Sequence, residues 1–167
     1  QFNYFMGDQL INIKYRDGRK NFKLYKGAEK VFYNINSVVG FDWCVIVEGE
    51  MDVLALHEAG IKNAISVPNG ATLNSNNLDY LDNCIDYLDD KTKIVLAVDA
   101  DEAGQALKNE FIRRLGAEVC FLVDFNGQKD ANEYLLENGD EALRSAIHAA
   151  TQVPLEGVTT LYDIQDE

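Results

Sequence analysis

The chain has 167 residues, 47% of them hydrophobic, and a formal net charge of −13. That length suits one domain with at most a small appendage. No apolar run approaches the roughly 20 residues that cross a bilayer, so no membrane partner is expected.

No charged stretch leads into an apolar one at the start, which argues against a secretion signal. Cys44, Cys84 and Cys120 lack a CxxC spacing and read as small core hydrophobes in a reducing, cytoplasmic setting. The chain opens on Gln1, which predicts a segment of a longer protein. Charge is unevenly spread: residues 1–36 carry a balance of +4 and the remainder −17. Salt screens charges beyond about 8–10 Å, so a basic edge on an acidic body can still bind phosphate locally.

In chain order, Leu10–Tyr15 and Phe22–Tyr25 alternate apolar and polar residues around Asp17-Gly18, which predicts a β-hairpin. Lys14, Arg16, Arg19, Lys20, Lys23 and Lys26 are interleaved there with Tyr15, Phe22 and Tyr25. Cations for phosphate and rings for base stacking make a single-strand nucleic-acid platform. The plainer reading is a solvated hairpin face. Residues 34–40 read as a connector.

From Trp43 the pattern becomes alternating β and α. Strands are predicted at 43–47, 63–67, 93–98 and 118–123. Helices are predicted at 51–59, 75–89, 102–115, 131–138 and 140–149, with Gly60, Gly116 and Gly139 as stops. This alternation predicts an α/β fold with a mostly parallel sheet and right-handed crossovers. His57 and His148 have no metal-ligand companions. The acids between Asp79 and Asp90 read as a solvated face, and Trp43 as packing. Residues from Val153 onward show no period and read as a linker.

Two acidic motifs follow apolar β runs: Glu48-Gly49-Glu50-Met51-Asp52 after Val45-Ile46-Val47, and Asp99-Ala100-Asp101-Glu102-Ala103-Gly104 after Ile94–Val98. Ligands of open α/β sheets bind at the strands' carboxyl ends. Carboxylates gathered there repel one another unless protons or cations neutralise them, and oxygen ligands without His or Cys select Mg²⁺ or Mn²⁺. Period-two spacing would point Asp99 and Asp101 the same way. Asp101 alternatively reads as an N-cap, and Asp52 as a first-turn dipole partner.

Together the two motifs resemble the signatures of the TOPRIM fold, shared by bacterial primases, topoisomerases, some nucleases and a recombination mediator, over about residues 42–125. The resemblance implies Glu48 in acid–base chemistry or as a metal ligand, with Asp99, Asp101, Asp52 and Asp130 around Mg²⁺ or Mn²⁺. Lys129-Asp130-Ala131-Asn132-Glu133 and the loop Ser66-Val67-Pro68-Asn69-Gly70-Ala71 resemble the Twinkle-like, phage-type primase–helicases; the loop by its spacing alone reads as an ordinary Pro-Asn-Gly turn, and the resemblance implies Asn69 and Gly70 near phosphate. Bacterial primases usually carry a second aspartate where Asn132 stands.

The division expected is a basic β subdomain at 1–38, a TOPRIM domain at 39–150, and a linker at 151–167 toward a RecA-type helicase domain. The function implied is primer synthesis from ribonucleoside triphosphates on a single-stranded DNA template, in a bacterial or phage replisome. The alternatives are a non-catalytic DNA-binding or assembly module and a TOPRIM nuclease.

Overall fold

A computed structural model describes residues 1–19, 21–71 and 78–154. The basic N-terminal stretch folds as an antiparallel sheet of β1 (Phe2–Met6), β2 (Gln9–Arg16) and β3 (Phe22–Leu24). The predicted hairpin is β2–β3. Its turn is held by Asp17, which accepts from the N–H groups of Arg19 at 2.8 Å and Asn21 at 2.9 Å. β1 was not anticipated. It carries Tyr4, fully buried and edge-on to Tyr33 at 5.4 Å, into the main core. The connector contains a 3-10 helix, Ile35–Val38, whose two end residues are buried.

The second sheet alternates with helices: β4 (Trp43–Val47), α1 (Glu50–Glu58), β5 (Ala64–Ser66), α2 (Asp79–Asn83), β6 (Lys93–Leu96), α3 (Glu102–Leu115), β7 (Cys120–Leu122), α4 (Ala131–Asn138), α5 (Asp140–His148) and β8 (Thr151–Gln152). Its strand order is β5-β4-β6-β7-β8, parallel except for β8.

The inner strand β4 shows why no polar face survives. Cys44 and Ile46 pack with Leu107 and Phe111 of α3 and with Tyr4 and Phe32. Val45 and Val47 pack on the other face with Val53 and Leu56 of α1 and Leu143 of α5. A parallel strand covered on both sides must be apolar throughout. Trp43 packs as expected, its ring 5.6 Å from that of His148.

Two predicted elements differ. The helix expected at 75–89 shrinks to the short α2 and a 3-10 turn, Ile85–Tyr87, while residues 75–77 lie outside the described residues. Asp and Asn are weak helix formers, and Asn83 donates its side-chain amide to the Lys30 carbonyl at 2.8 Å. The second difference is β8. Thr151 and Gln152, read as the start of a linker, pair antiparallel with β7, and Val153 N–H donates to the Cys120 carbonyl at 2.9 Å. A two-residue edge strand is too short to show a period. No helix among the described residues is long and apolar enough to cross a membrane.

Candidate active site at the carboxyl edge of the sheet

The strand order reverses between β4 and β6. β4 connects through α1 to β5 on one side, while β6 connects through α3 to β7 on the other. Such a reversal leaves a crevice beyond the carboxyl ends of the two strands. Glu48 leaves β4 there, and Asp99 follows β6. The Glu48 carboxylate ties three segments together: Oε1 accepts from the Asp99 N–H at 2.9 Å, and Oε2 accepts from the Ala71 N–H at 3.2 Å. The loop after β5 therefore aims a backbone N–H at Glu48.

The glycines of both motifs have steric reasons. A Cβ on Gly104 would lie 2.1 Å from the Asp99 carbonyl oxygen and 2.6 Å from Glu48 Oε1. One on Gly49 would lie 2.9 Å from Asp52 Oδ2. Both contacts are closer than a methyl tolerates, so each glycine lets backbone approach a functional carboxylate.

Asp52 occupies the first turn of α1 and is buried. Its Oδ1 accepts from the Asn132 N–H at 3.0 Å, in the first turn of α4. Asp130 caps α4 by accepting from the Glu133 N–H at 2.8 Å. The segment 129–133 thus sets one helix N-terminus against another, and both positive dipole ends favour the carboxylates between them. Asn132 contributes its main-chain N–H to this junction.

Glu48, Asp52, Asp99 and Asp130 line one open cavity of about 550 Å³, together with Lys14 and Lys129. Burial, then the nearby Asp99 charge, pushes the Glu48 carboxyl up to about 7. Burial, then Asp130, pushes Asp52 up to about 7. Asp99 is also raised, chiefly by burial, although Lys129 opposes the rise. The site is short of positive charge, and its donors are all hard oxygens, so it suits Mg²⁺ or Mn²⁺. In the present arrangement, no three acidic, His or Cys side chains among the described residues are placed to hold an ion. Protein donors already engage Glu48, Asp52, Asp99 and Asp130.

The predicted residues are distributed as follows. Glu48, Asp52, Asp99, Asp130, Asn69, Gly70 and Lys14 line the cavity. Asp101 does not line it: its Oδ1 accepts from the Gly104 N–H at 2.9 Å and caps α3. The expectation that Asp99 and Asp101 point the same way fails because β6 ends at Leu96, leaving both residues outside the pleat.

Lys14 is not on an exposed hairpin face. It is buried, with Nζ 2.7 Å from Glu50 Oε1. Tyr4 OH donates to the same Glu50 oxygen. The Arg16 guanidinium lies 5.5 Å from the centre of the exposed Phe22 ring. Arg19, Lys23 and Lys26 are exposed, and Lys20 lies outside the described residues. Sequence reasoning missed Tyr4, Glu50 and the pairing of Lys129 with Asp99 Oδ2 at 2.9 Å. The available signal was charge balance: an acidic edge needs a cation, and Lys129 directly precedes an acidic helix cap.

The fold and the site define the class: a parallel α/β sheet with carboxylates following both strands at its switch point. Residues 45–135 match the Toprim-like family model, and the chain belongs to that family. It is 38% identical over 172 aligned residues to a primase homolog protein of Arabidopsis thaliana, covering 93% of this chain and 51% of that one. It is 35% identical to the Twinkle homolog protein, chloroplastic/mitochondrial, of the same plant, covering 99% of this chain and 26% of the other.

The primase fragment of the bacteriophage T7 primase-helicase superposes with a TM-score of 0.75 at 26% identity, covering 87% of this chain and 60% of that one. The RNA polymerase domain of Mycobacterium tuberculosis primase DnaG shares the fold, with a TM-score of 0.68 at 20% identity over 90% of this chain and 54% of that one. The chain spans about half the length of the first of these two plant relatives and about a quarter of the second.

Proposed function

We propose that this chain is the primer-synthesising domain of a primase or primase–helicase, joining ribonucleoside triphosphates on single-stranded DNA with the help of Mg²⁺ or Mn²⁺. The observation that carries this reading is the convergence of Glu48, Asp52, Asp99 and Asp130 in one cavity at the switch point. Its support is the Toprim-like match and the primase names of relatives and structural neighbours.

Asp99, Asp130, Asp52 and Glu48, which line the cavity, would hold the metal, and Asp101, whose charge acts on both Glu48 and Asp99, would be a further ligand. When bound, a divalent cation supplies Lewis-acid stabilisation of charge on phosphoryl oxygens. Glu48 either ligates the metal or, left free of it, handles a proton, since burial raises its carboxyl to about 7. Asn69 and Gly70, on the cavity rim, approach a phosphate through backbone N–H groups. Arg16, Arg19, Lys20, Lys23 and Lys26 hold the template's phosphates, with Phe22 as a stacking surface.

The proposed organisation is a β subdomain at 1–38, the TOPRIM domain from 39 through β8 at Thr151–Gln152, and the residues after β8 leading toward a helicase domain of the same chain, within a replisome. The test is primer synthesis by the full-length protein containing this chain. Asp99→Asn and Glu48→Gln are each expected to lower it by at least about a hundredfold. Undiminished synthesis in either variant overturns the assignment.

A second reading is a non-catalytic module for DNA binding or assembly. It is favoured by the engagement of these four carboxylates by protein donors. DNA binding by the full-length protein without any primer synthesis would select it.

A further inference from the structure

The cavity's two cations are held in opposite ways. Lys14 is buried against Glu50, its side chain 8% exposed and that of Glu50 3%. Lys129 reaches Asp99 Oδ2 at 2.9 Å with 57% of its own side chain exposed, while that of Asp99 is 13% exposed. Only the side chain of Lys129 is free to move. Its N–H donates to Glu133 Oε2 at 2.6 Å, and its carbonyl accepts from the Ala100 N–H at 3.1 Å.

The bonds to the other carboxylates come from backbone N–H groups: Asp99 and Ala71 to Glu48, Asn132 to Asp52, Glu133 to Asp130. A carboxylate oxygen that accepts one N–H keeps a second lone pair, so these bonds are compatible with a metal on the same oxygen. An ammonium at hydrogen-bond distance is not, because it brings a like charge into the ion's position. Among the described residues lining the cavity, Lys129 is thus the cation that must leave before a metal can take Asp99 Oδ2. Water can take over the exposed Lys129 ammonium, whereas Asp99, its side chain only 13% exposed, keeps its need for a counter-charge, which the incoming metal supplies.

We infer that Lys129 is an exchangeable counter-cation: it neutralises Asp99 while the site is metal-free and swings into solvent when a divalent cation binds. The inference rests on the metal reading of the site. It makes metal affinity a competition that Lys129 sets, and it returns a free ammonium to the cavity rim once the metal is in place.

The test is calorimetric titration of Mg²⁺ into the full chain, as wild type, Lys129→Gln and Lys108→Gln. Lys108 is a nearby cation whose ammonium bonds Gln105 rather than Asp99. Lys129→Gln is expected to bind Mg²⁺ roughly three- to tenfold more tightly, and Lys108→Gln within about twofold of wild type. Nitrogen-labelled lysine followed by NMR gives a readout independent of affinity. In wild type the Lys129 ammonium signal moves to its solvent-exposed position as Mg²⁺ saturates.

Unchanged or weaker binding in Lys129→Gln overturns the inference and leaves the metal site standing. Equal gains in both variants also overturn it, by showing a bulk-charge effect. No saturable heat in either wild type or Lys129→Gln removes the metal reading itself.

Discussion

Two lysine–carboxylate pairs line one cavity at nearly the same separation, 2.7 Å for Lys14–Glu50 and 2.9 Å for Lys129–Asp99. Their surroundings differ. Lys14–Glu50 is enclosed, and Glu50 takes a further hydrogen bond from Tyr4, whose own hydroxyl burial pushes far above its ordinary range. It joins β2 to the first turn of α1. In Lys129–Asp99 only the lysine faces water, at 57% exposed against 13% for the aspartate, and the pair joins two loops. A desolvated pair is costly to break singly, because the survivor is a buried charge. A pair whose cation is already hydrated breaks more easily, provided another charge replaces it at the carboxylate. The same chemistry therefore builds a rigid wall on one residue pair and a removable occupant on the other.

The largest expected effect tests the rigid side. Lys14→Met should lose about 3–5 kcal/mol in denaturant unfolding, and Lys14→Met/Glu50→Leu should regain most of it. A loss under about 1 kcal/mol would break the comparison, since it would mean that water reaches Glu50. Gly104→Ala comes next, at about 2–3 kcal/mol, because the methyl collides with the Asp99 carbonyl and Glu48. It should also weaken Mg²⁺ binding, which calorimetry reads directly.

The pH dependence comes third. Glu48 and Asp52 both titrate at about 7 in the folded chain, above their ordinary values of 4.5 and 3.8. The folded state therefore binds more protons than the unfolded chain between about pH 4 and pH 7. Their contribution to stability is present at low pH and is lost as pH rises through 7. Thermal melts in chelator should show a fall on the order of 2 kcal/mol between pH 5 and pH 8, after allowing for water in the open cavity. Mg²⁺ should flatten that fall. A rise with pH in chelator contradicts the described electrostatics.

Asp101→Ala should cost about 1 kcal/mol through loss of the α3 cap and lower Mg²⁺ affinity. Asp101→Ser keeps a capping oxygen, so it should lower affinity with little loss of stability, separating the residue's two roles. The smallest effect is on the removable side: Lys129→Gln should change metal-free stability by less than about 1 kcal/mol. A loss comparable to that of Lys14→Met would erase the distinction between the pairs.

The residue pattern by itself determined the α/β class, the β2–β3 hairpin, the four parallel strands to within a few residues, and both acidic motifs. These are local properties: a strand buried on both faces must be apolar throughout, and a glycine beside a carboxylate marks close backbone approach. Tertiary structure alone decided which carboxylates share the cavity. Asp101 looked equivalent to Asp99, yet it caps α3 while Asp99 lines the cavity, because β6 ends early. Lys14 looked like one more cation of a basic hairpin, yet packing buried it against an acid 36 residues away. β8 and the pairing of Lys129 with Asp99 were equally out of reach. Periodicity reports which face of an element is apolar, but a charge's partner depends on how elements meet across the fold, and no sequence spacing encodes that distance.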